Sequence, residues 1–186
     1  MSGSDSRHVI LGVTASVAIH RALDLASELR KAGYRVSAVM TPDATRLVTP
    51  LQFQAITLSR VYHTLWEEGR DLDHDHIRLA ETGDLLVVAP ATAGTIGKIA
   101  HGLADNVLLT TALAFGGPRL FAPAMNWRMW AQPAVQRNCR QLAEDGWTAV
   151  GPVSGDLACG EEGAGRLAPV ADILAALAPH LGADRS

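Results

Sequence analysis

The sequence predicts a three-layer α/β sandwich, helices on both faces of a central parallel sheet. Three observations carry that prediction. Short aliphatic runs bounded by turn residues recur five times along the 186 residues, with the unbroken hydrophobicity of strands buried on both faces. Between them lie stretches long enough for the helical crossovers that parallel strands require. Apolar residues make up 48% of the chain and charged residues 19%, a balance that fits one globular domain over 1–186.

The first strand is HVILGV, residues 8–13. After a TAS turn, Ala18, Ala22, Leu25 and Leu29 fall at helical spacing, and Gly33 stands where a helix over 17–32 would stop. YRVSAVM (34–40) is the second strand, followed by turn and cap chemistry in TPDAT. DLLVVAPA (84–91) is the third strand, and 92–115 reads as one or two helices. PRLFAPAM (118–125) is the fourth; 126–145 is mostly helical with a break near Pro133, and WTAVGPV (147–153) is the fifth. The glycine-rich segment 154–167 reads as too flexible for a core element, and a helix over 170–181 closes the chain. Five buried strands alternating with helices define a doubly wound, flavodoxin-like (Rossmann-type) sandwich.

Composition excludes several function classes. A net charge of −3 provides no basic footprint for nucleic acid. Apolar runs such as 85–91 are far short of the roughly 20 residues that span a bilayer. MSGSDSR is too short and polar for a signal or transit peptide. Two cysteines, Cys139 and Cys159, cannot build a disulfide framework, which points to a reducing cytoplasm. Fourteen Arg against two Lys, beside thirty Ala, resembles high-GC codon bias and carries no chemistry.

Ligands of open α/β sheets bind outside the carboxyl ends of the strands, which selects residues 12–16, 40–45, 90–95 and 123–126. Hydroxyls beside free helix N–H groups suit a phosphate. Thr14, Ser16, Thr41 and Thr92 could each be no more than an N-cap, but three such turns on one edge favour a phosphate-bearing cofactor. GVTASVA lacks the G-x-G-x-x-G spacing, so a mononucleotide fits better than a dinucleotide. His8, His63, His101 and His180 read as surface or strand-edge residues. His74 and His76, flanked by Asp73 and Asp75, read as a weak metal pair, a solvated helix start, or the place of one general base; no metal is expected. In PAMNWRMW (123–130), the Met and Trp could be a packing corner, yet Asn126 falls just past a strand, where its amide can bind a carboxylate or carbonyl. Cys159 lies on a glycine-hinged segment fit for a lid that delivers a thiol, whereas Cys139 reads as buried and inert.

Together these strings resemble the flavin-containing cysteine decarboxylases, which include phosphopantothenoylcysteine decarboxylases and the peptidyl-cysteine decarboxylases of ribosomal peptide natural products. The resemblance runs from about residue 8 to residue 167, in the family's order. GVTASVAIHRA resembles the first phosphate turn and MTPDATRLVTPLQFQAIT the second segment. DHIRLA resembles the stretch holding the active-site histidine, which places that role on His76. APATAGTIGKIAHGLADN resembles the flavin-binding P-A-S-A-N-T motif, with Gly94 where the family has Asn or Asp. PAMNWRMW fits P-x-M-N-x-x-M-W at every fixed position, which places the substrate-binding asparagine on Asn126. LACGEEGAGRL resembles the mobile substrate-recognition clamp (154–167), with its cysteine at Cys159.

The resemblance implies FMN, held by Gly12, Thr14, Ala15, Ser16, Thr41, Thr45, Pro90, Ala91, Thr92, Ala93, Thr95 and Ala124. It implies decarboxylation of a cysteine whose carboxylate is free. Such a carboxylate has no electron sink; oxidising the thiol-bearing carbon to a thioaldehyde, with hydride passing to flavin N5, creates one, and loss of CO₂ then leaves an enethiolate. His76 is the implied base or polarising group. Asn126, Met129, Ala158 and Cys159 are the implied substrate contacts, with Cys159 acting on the enethiolate. A homo-oligomer, trimer or dodecamer, with FMN at the subunit boundary, is implied as well. Two substrates share this half-reaction. In coenzyme A biosynthesis, phosphopantothenoylcysteine yields phosphopantetheine with the hydride returned; in peptide maturation the aminoenethiol of a C-terminal cysteine is released. Cys159 favours the first. A chain without a ligase domain, and Gly94, favour the second, so a precursor peptide is the expected substrate. A purely regulatory flavin-binding subunit is disfavoured by the presence of His76, Asn126 and Cys159, and a flavin prenyltransferase by the P-x-M-N-x-x-M-W string and the clamp.

Overall fold

The computed structural model describes residues 6–65, 75–156 and 162–182. Strands β1 (His8–Val13), β2 (Arg35–Met40), β3 (Leu85–Ala91), β4 (Arg119–Pro123) and β5 (Trp147–Ala149) form one parallel sheet in the order β2-β1-β3-β4-β5. This is the flavodoxin-like order, as expected. Every residue of β1 and β3 is buried, which is why both read as continuous apolar runs. Alternation splits each strand between two cores. Val9, Leu11 and Val13 pack with Leu25 of α1 (His20–Lys31), Phe53 of α2 (Pro50–Thr57) and Leu177 of α8 (Val170–Leu181). Ile10, Leu86, Val88 and Phe121 pack on the opposite face. There they meet Leu79 of α3 (Asp75–Thr82), Ile96 of α4 (Ala93–Ala100), Leu108 of α5 (Val107–Ala114) and Leu142 of α7 (Pro133–Glu144). No helix among the described residues is long and apolar enough to cross a membrane.

Several predicted boundaries hold. Helix α1 stops as expected, with Gly33 at φ +90° and the Tyr34 N–H donating to Leu29 O at 3.1 Å. The 92–115 stretch resolves into α4 and α5, and Pro133 begins α7 after the short α6 (Trp127–Trp130).

Three expectations are corrected. Strand β5 ends at Ala149 rather than near 153, because Gly151 turns the chain at φ +81°. The glycine-rich segment is not featureless: β6 (Val153–Asp156) and β7 (Glu162–Arg166) pair antiparallel, and the glycines of β7 allow that ribbon to dock closely. His8 is not a surface or strand-edge residue. It opens an interior strand, is 4% exposed, and places Nε2 2.9 Å from Ser37 Oγ and Nδ1 3.1 Å from Thr82 O. A further strand-like contact was not foreseen: Tyr62 bridges to Val39 outside β2, its N–H donating to Ala38 O at 2.9 Å and its carbonyl accepting from Met40 N at 2.7 Å.

Burial and then the Arg35 guanidinium, 2.6 Å from Nδ1, hold the His8 pKa below its usual value, against the opposing pull of Thr82 O and Asp84. The folded chain therefore refuses a proton that the unfolded chain accepts below about pH 6.5. The stability from neutral His8 is present above that pH and is lost as pH falls through the lower folded value. The urea midpoint is expected to drop between about pH 7.5 and about pH 5, and to drop less in His8→Gln. Equal pH dependence in the two proteins would refute this assignment.

Candidate active site

The strand order reverses between β1 and β3, so their connections leave in opposite directions and open a crevice at the carboxyl edge. Thr14, 1% exposed, ties the two turns together there. Its Oγ1 donates to Pro90 O at 2.7 Å and accepts from Thr92 N at 3.1 Å. Thr14 is thus a strut between turns and not a helix cap. Ser16 does cap, accepting from Ala18 N at 3.3 Å. Thr92 caps α4, accepting from Thr95 N at 3.4 Å, and Thr41 Oγ1 accepts from Ala44 N at 3.3 Å. Thr14→Val preserves shape but strips Pro90 O and Thr92 N of this partner, at about 1–3 kcal/mol for each buried group left unpaired. The variant is expected to lose about 2–4 kcal/mol in urea unfolding, with Thr14→Ser retaining most of it. A Val variant as stable as the parent would remove the strut.

An open cleft of about 300 Å³ lies where the three turns meet. Thr14, Ala15, Thr41, Thr92 and Thr95, all named from the sequence as cofactor contacts, line it together with Pro42, Asp43, Gly94, Lys98, Asp105 and Asn106. Of the last six, Pro42, Asp43 and Gly94 lie in the turns 40–45 and 90–95 selected from the sequence, and Asn106 carries a cap signal: its Oδ1 caps α5, accepting from Leu109 N at 3.1 Å. The wall formed by Asp43, Lys98 and Asp105 arises only in three dimensions. Gly12, Ser16, Thr45, Pro90, Ala91, Ala93 and Ala124 do not line this cleft. Gly12 is a packing residue, since a Cβ would come within 2.6 Å of Leu108 Cδ1. Thr45 Oγ1 turns back to Pro42 O at 2.7 Å, and the Ala124 N–H joins two turns by donating to Ala91 O at 3.0 Å. Hydroxyls of Thr41, Thr92 and Thr95, the opening turn of α4 and an empty volume beside Gly94 form a donor set that fits a phosphate-bearing mononucleotide.

Asn126 follows β4 on the same edge. Its Oδ1 accepts from Arg128 N at 2.8 Å, which fixes the side chain at the start of α6, and Met129 on α6 is 48% exposed. The glycines of β7 seat the ribbon against this turn. Met125 N donates to Gly165 O at 2.9 Å. A Cβ at Gly165 would overlap the Met125 carbonyl oxygen, and one at Gly163 would lie 2.8 Å from Trp127 Cβ.

His76 is half-buried at the start of α3. That helix leads into the amino end of β3, so its own N-terminus lies at the carboxyl edge. The preceding residue anchors it: Asp75 Oδ1 and Oδ2 accept from Arg60 at 2.9 and 2.7 Å, and Oδ1 also accepts from Arg78 at 2.7 Å. Arg60 in turn stacks 4.7 Å over the Tyr62 ring. His76, Asn126 and Met129 are not among the cleft lining of one chain. His74, Ala158 and Cys159 lie outside the described residues. Among the described residues no group of three or more His, Cys, Asp or Glu is placed to hold a metal. Cys139 is half-buried, and burial pushes its thiol pKa up.

Sheet order, switch-point cleft and hydroxyl-lined turns define a mononucleotide-binding α/β protein. The Flavoprotein family model matches residues 2–182, and the chain belongs to that family. It is 42% identical over 182 residues to the coenzyme A biosynthesis bifunctional protein CoaBC of Bacillus subtilis, covering 98% of this chain and 45% of that protein. The chain thus spans about half the length of that relative. It is 38% identical over 171 residues to the probable phosphopantothenoylcysteine decarboxylase of Streptococcus mutans, covering 91% of this chain and 96% of that protein. The solved structure of the FMN-dependent cysteine decarboxylase SpaF superposes with a TM-score of 0.77 at 34% identity, covering 92% of this chain and 98% of that one.

Proposed function

We propose that this chain is an FMN-dependent cysteine decarboxylase acting on phosphopantothenoylcysteine. The observation that carries the reading is the Asn126 turn, pinned by β7 on the same sheet edge as the cleft. The substrate choice follows the relatives, and it reverses the preference for a peptide. That preference leaned on a chain without a ligase domain, but the Streptococcus mutans relative bearing the decarboxylase name is matched over 96% of its own length. Chain length therefore does not separate the two substrates, and the highest identities quoted above belong to proteins named for the coenzyme A route. The C-terminal cysteine of a peptide is the second reading, favoured by the likeness to SpaF.

Thr41, Thr92, Thr95 and the Ala15 turn would hold the FMN phosphate, and when bound FMN supplies the two-electron acceptor for oxidising the thiol-bearing carbon. Asn126, oriented by Arg128 N, would grip the cysteinyl carboxylate. His76, with its helix start fixed by Asp75 and Arg60, would take the proton released in the oxidation. Met129 and Ala158 would border the substrate, and Cys159 would return a proton to the enethiolate. A homo-oligomer, trimer or dodecamer, would bring His76 and Asn126 to the cleft. Val17, Leu47 and Leu51, 74%, 57% and 70% exposed, follow the turns at 12–16 and 40–45 in the chain, apolar surface that a partner copy would cover.

Anaerobic incubation separates the substrates. Phosphopantothenoylcysteine is expected to yield phosphopantetheine and CO₂ without consuming oxygen. Turnover of only a Cys-terminated peptide, stalling after one flavin equivalent without oxygen, would overturn the reading.

A further inference from the structure

The charges of the cleft do not suit the ligand its turns are built for. Its described lining carries two carboxylates, Asp43 and Asp105, and a single cation, Lys98, whereas a phosphate monoester brings close to two negative charges at neutral pH. Asp43 has Arg46 at 3.8 Å. Lys98 is bound to Asp105 at 2.5 Å, with their side chains 42% and 55% exposed. An ion pair this exposed is worth little and is readily exchanged.

Helix geometry supplies the second partner. Residues four apart lie on one helix face, and a helical side chain covers the turn N-terminal to its own Cα. Lys98 therefore overlies residue 94 when it leans back along α4. Residue 94 is glycine, and a Cβ built there meets no heavy atom within 4 Å. The space over Gly94 leads from Lys98 to Thr92 and Thr95, where the hydroxyls converge. A rotamer change, a fast motion for a half-exposed lysine, moves the ammonium from Asp105 to that end.

We propose that Lys98 is the phosphate-recognition residue of the cleft, exchanging its ion pair with Asp105 for the ligand's phosphate through the space left open by Gly94. The inference rests on the reading of this cleft as an FMN site. The shared chemistry is a phosphate monoester, carried by FMN and by the proposed substrate alike.

Lys98→Met keeps the apolar stem and the helix propensity while removing the charge. Its affinity for FMN and for riboflavin is read by flavin fluorescence, beside kcat/KM for phosphopantothenoylcysteine and its dephosphorylated form. A loss of about tenfold for FMN with riboflavin unchanged supports the proposal and identifies the cofactor phosphate. Unchanged FMN affinity with loss of the preference for the phosphorylated substrate supports it and identifies the substrate phosphate. Parallel losses for FMN and riboflavin, or no change in either comparison, overturn it. Asp105→Asn should strengthen the same phosphate-bearing ligand a few-fold by releasing Lys98. In a Gly94→Asn background the Lys98→Met penalty should shrink, and an equal penalty in both backgrounds overturns the exchange. Failure of the parent chain to bind FMN would instead sink the reading of the site.

Discussion

His76→Asn is expected to lose between about a hundredfold and ten-thousandfold in turnover while still binding FMN and remaining yellow. The amide keeps a hydrogen-bonding group at the start of α3 but cannot carry a proton near neutral pH. The turns that line the cleft are built from other segments, so the cleft survives the change. The anchoring of Asp75 by Arg60 and Arg78 also survives it, and helix α3 should stay in place. The test pairs kcat with the visible flavin spectrum. A fully active variant removes the proton-handling role from His76, and a colourless one shows that the residue helps to hold the cofactor.

Gly165→Ala is the second large effect, and it acts through the backbone of the Asn126 turn. The added methyl would overlap the Met125 carbonyl oxygen, at a residue whose φ of +148° already disfavours a side chain. Either β7 lifts away or the Asn126 turn shifts, and the hydrogen bond from Met125 N to Gly165 O is lost in both cases. Strain of this kind costs about 1–3 kcal/mol. A misplacement of about 1 Å at a positioning group lowers turnover by about a hundredfold. Cofactor affinity should be spared, because the cleft is lined by other turns. Wild-type kcat/KM in a stably folded Gly165→Ala protein would show that β7 does not position Asn126.

These two residues also mark how far the sequence could be read. The five core strands were legible because burial on both faces leaves an unbroken apolar run, as in LLVVAPA. The turns at Thr14, Thr41 and Thr92 were legible because each hydroxyl follows such a run. The ribbon was not, since Gly163 and Gly165 look like flexibility until Trp127 and Met125 are placed against them. His8 failed for a similar reason: its burial depends on Ser37 and Thr82, which arrive from other segments. Helix α2 was missed although Thr49, Pro50 and Gln52 compose a capping box with proline in the first turn. Lys98 and Asp105 are seven residues apart, but α4 ends at Ala100 between them, so helical spacing does not pair them and only the fold brings them to one wall. The preference for a peptide substrate leaned in part on chain length, which does not distinguish the two substrates.

The bridge between Tyr62 and Val39 has a consequence for solubility. A parallel sheet ends in two flanks whose unpaired amides can recruit a foreign strand and start a fibril. Here one flank is partly occupied by Tyr62, which takes the outward groups of Ala38 and Met40. The other flank, β5, is three residues long, too short to template an ordered ladder. Crowded copies of this chain are thereby steered away from strand-to-strand aggregation, and contacts between them fall to side chains on helices and turns.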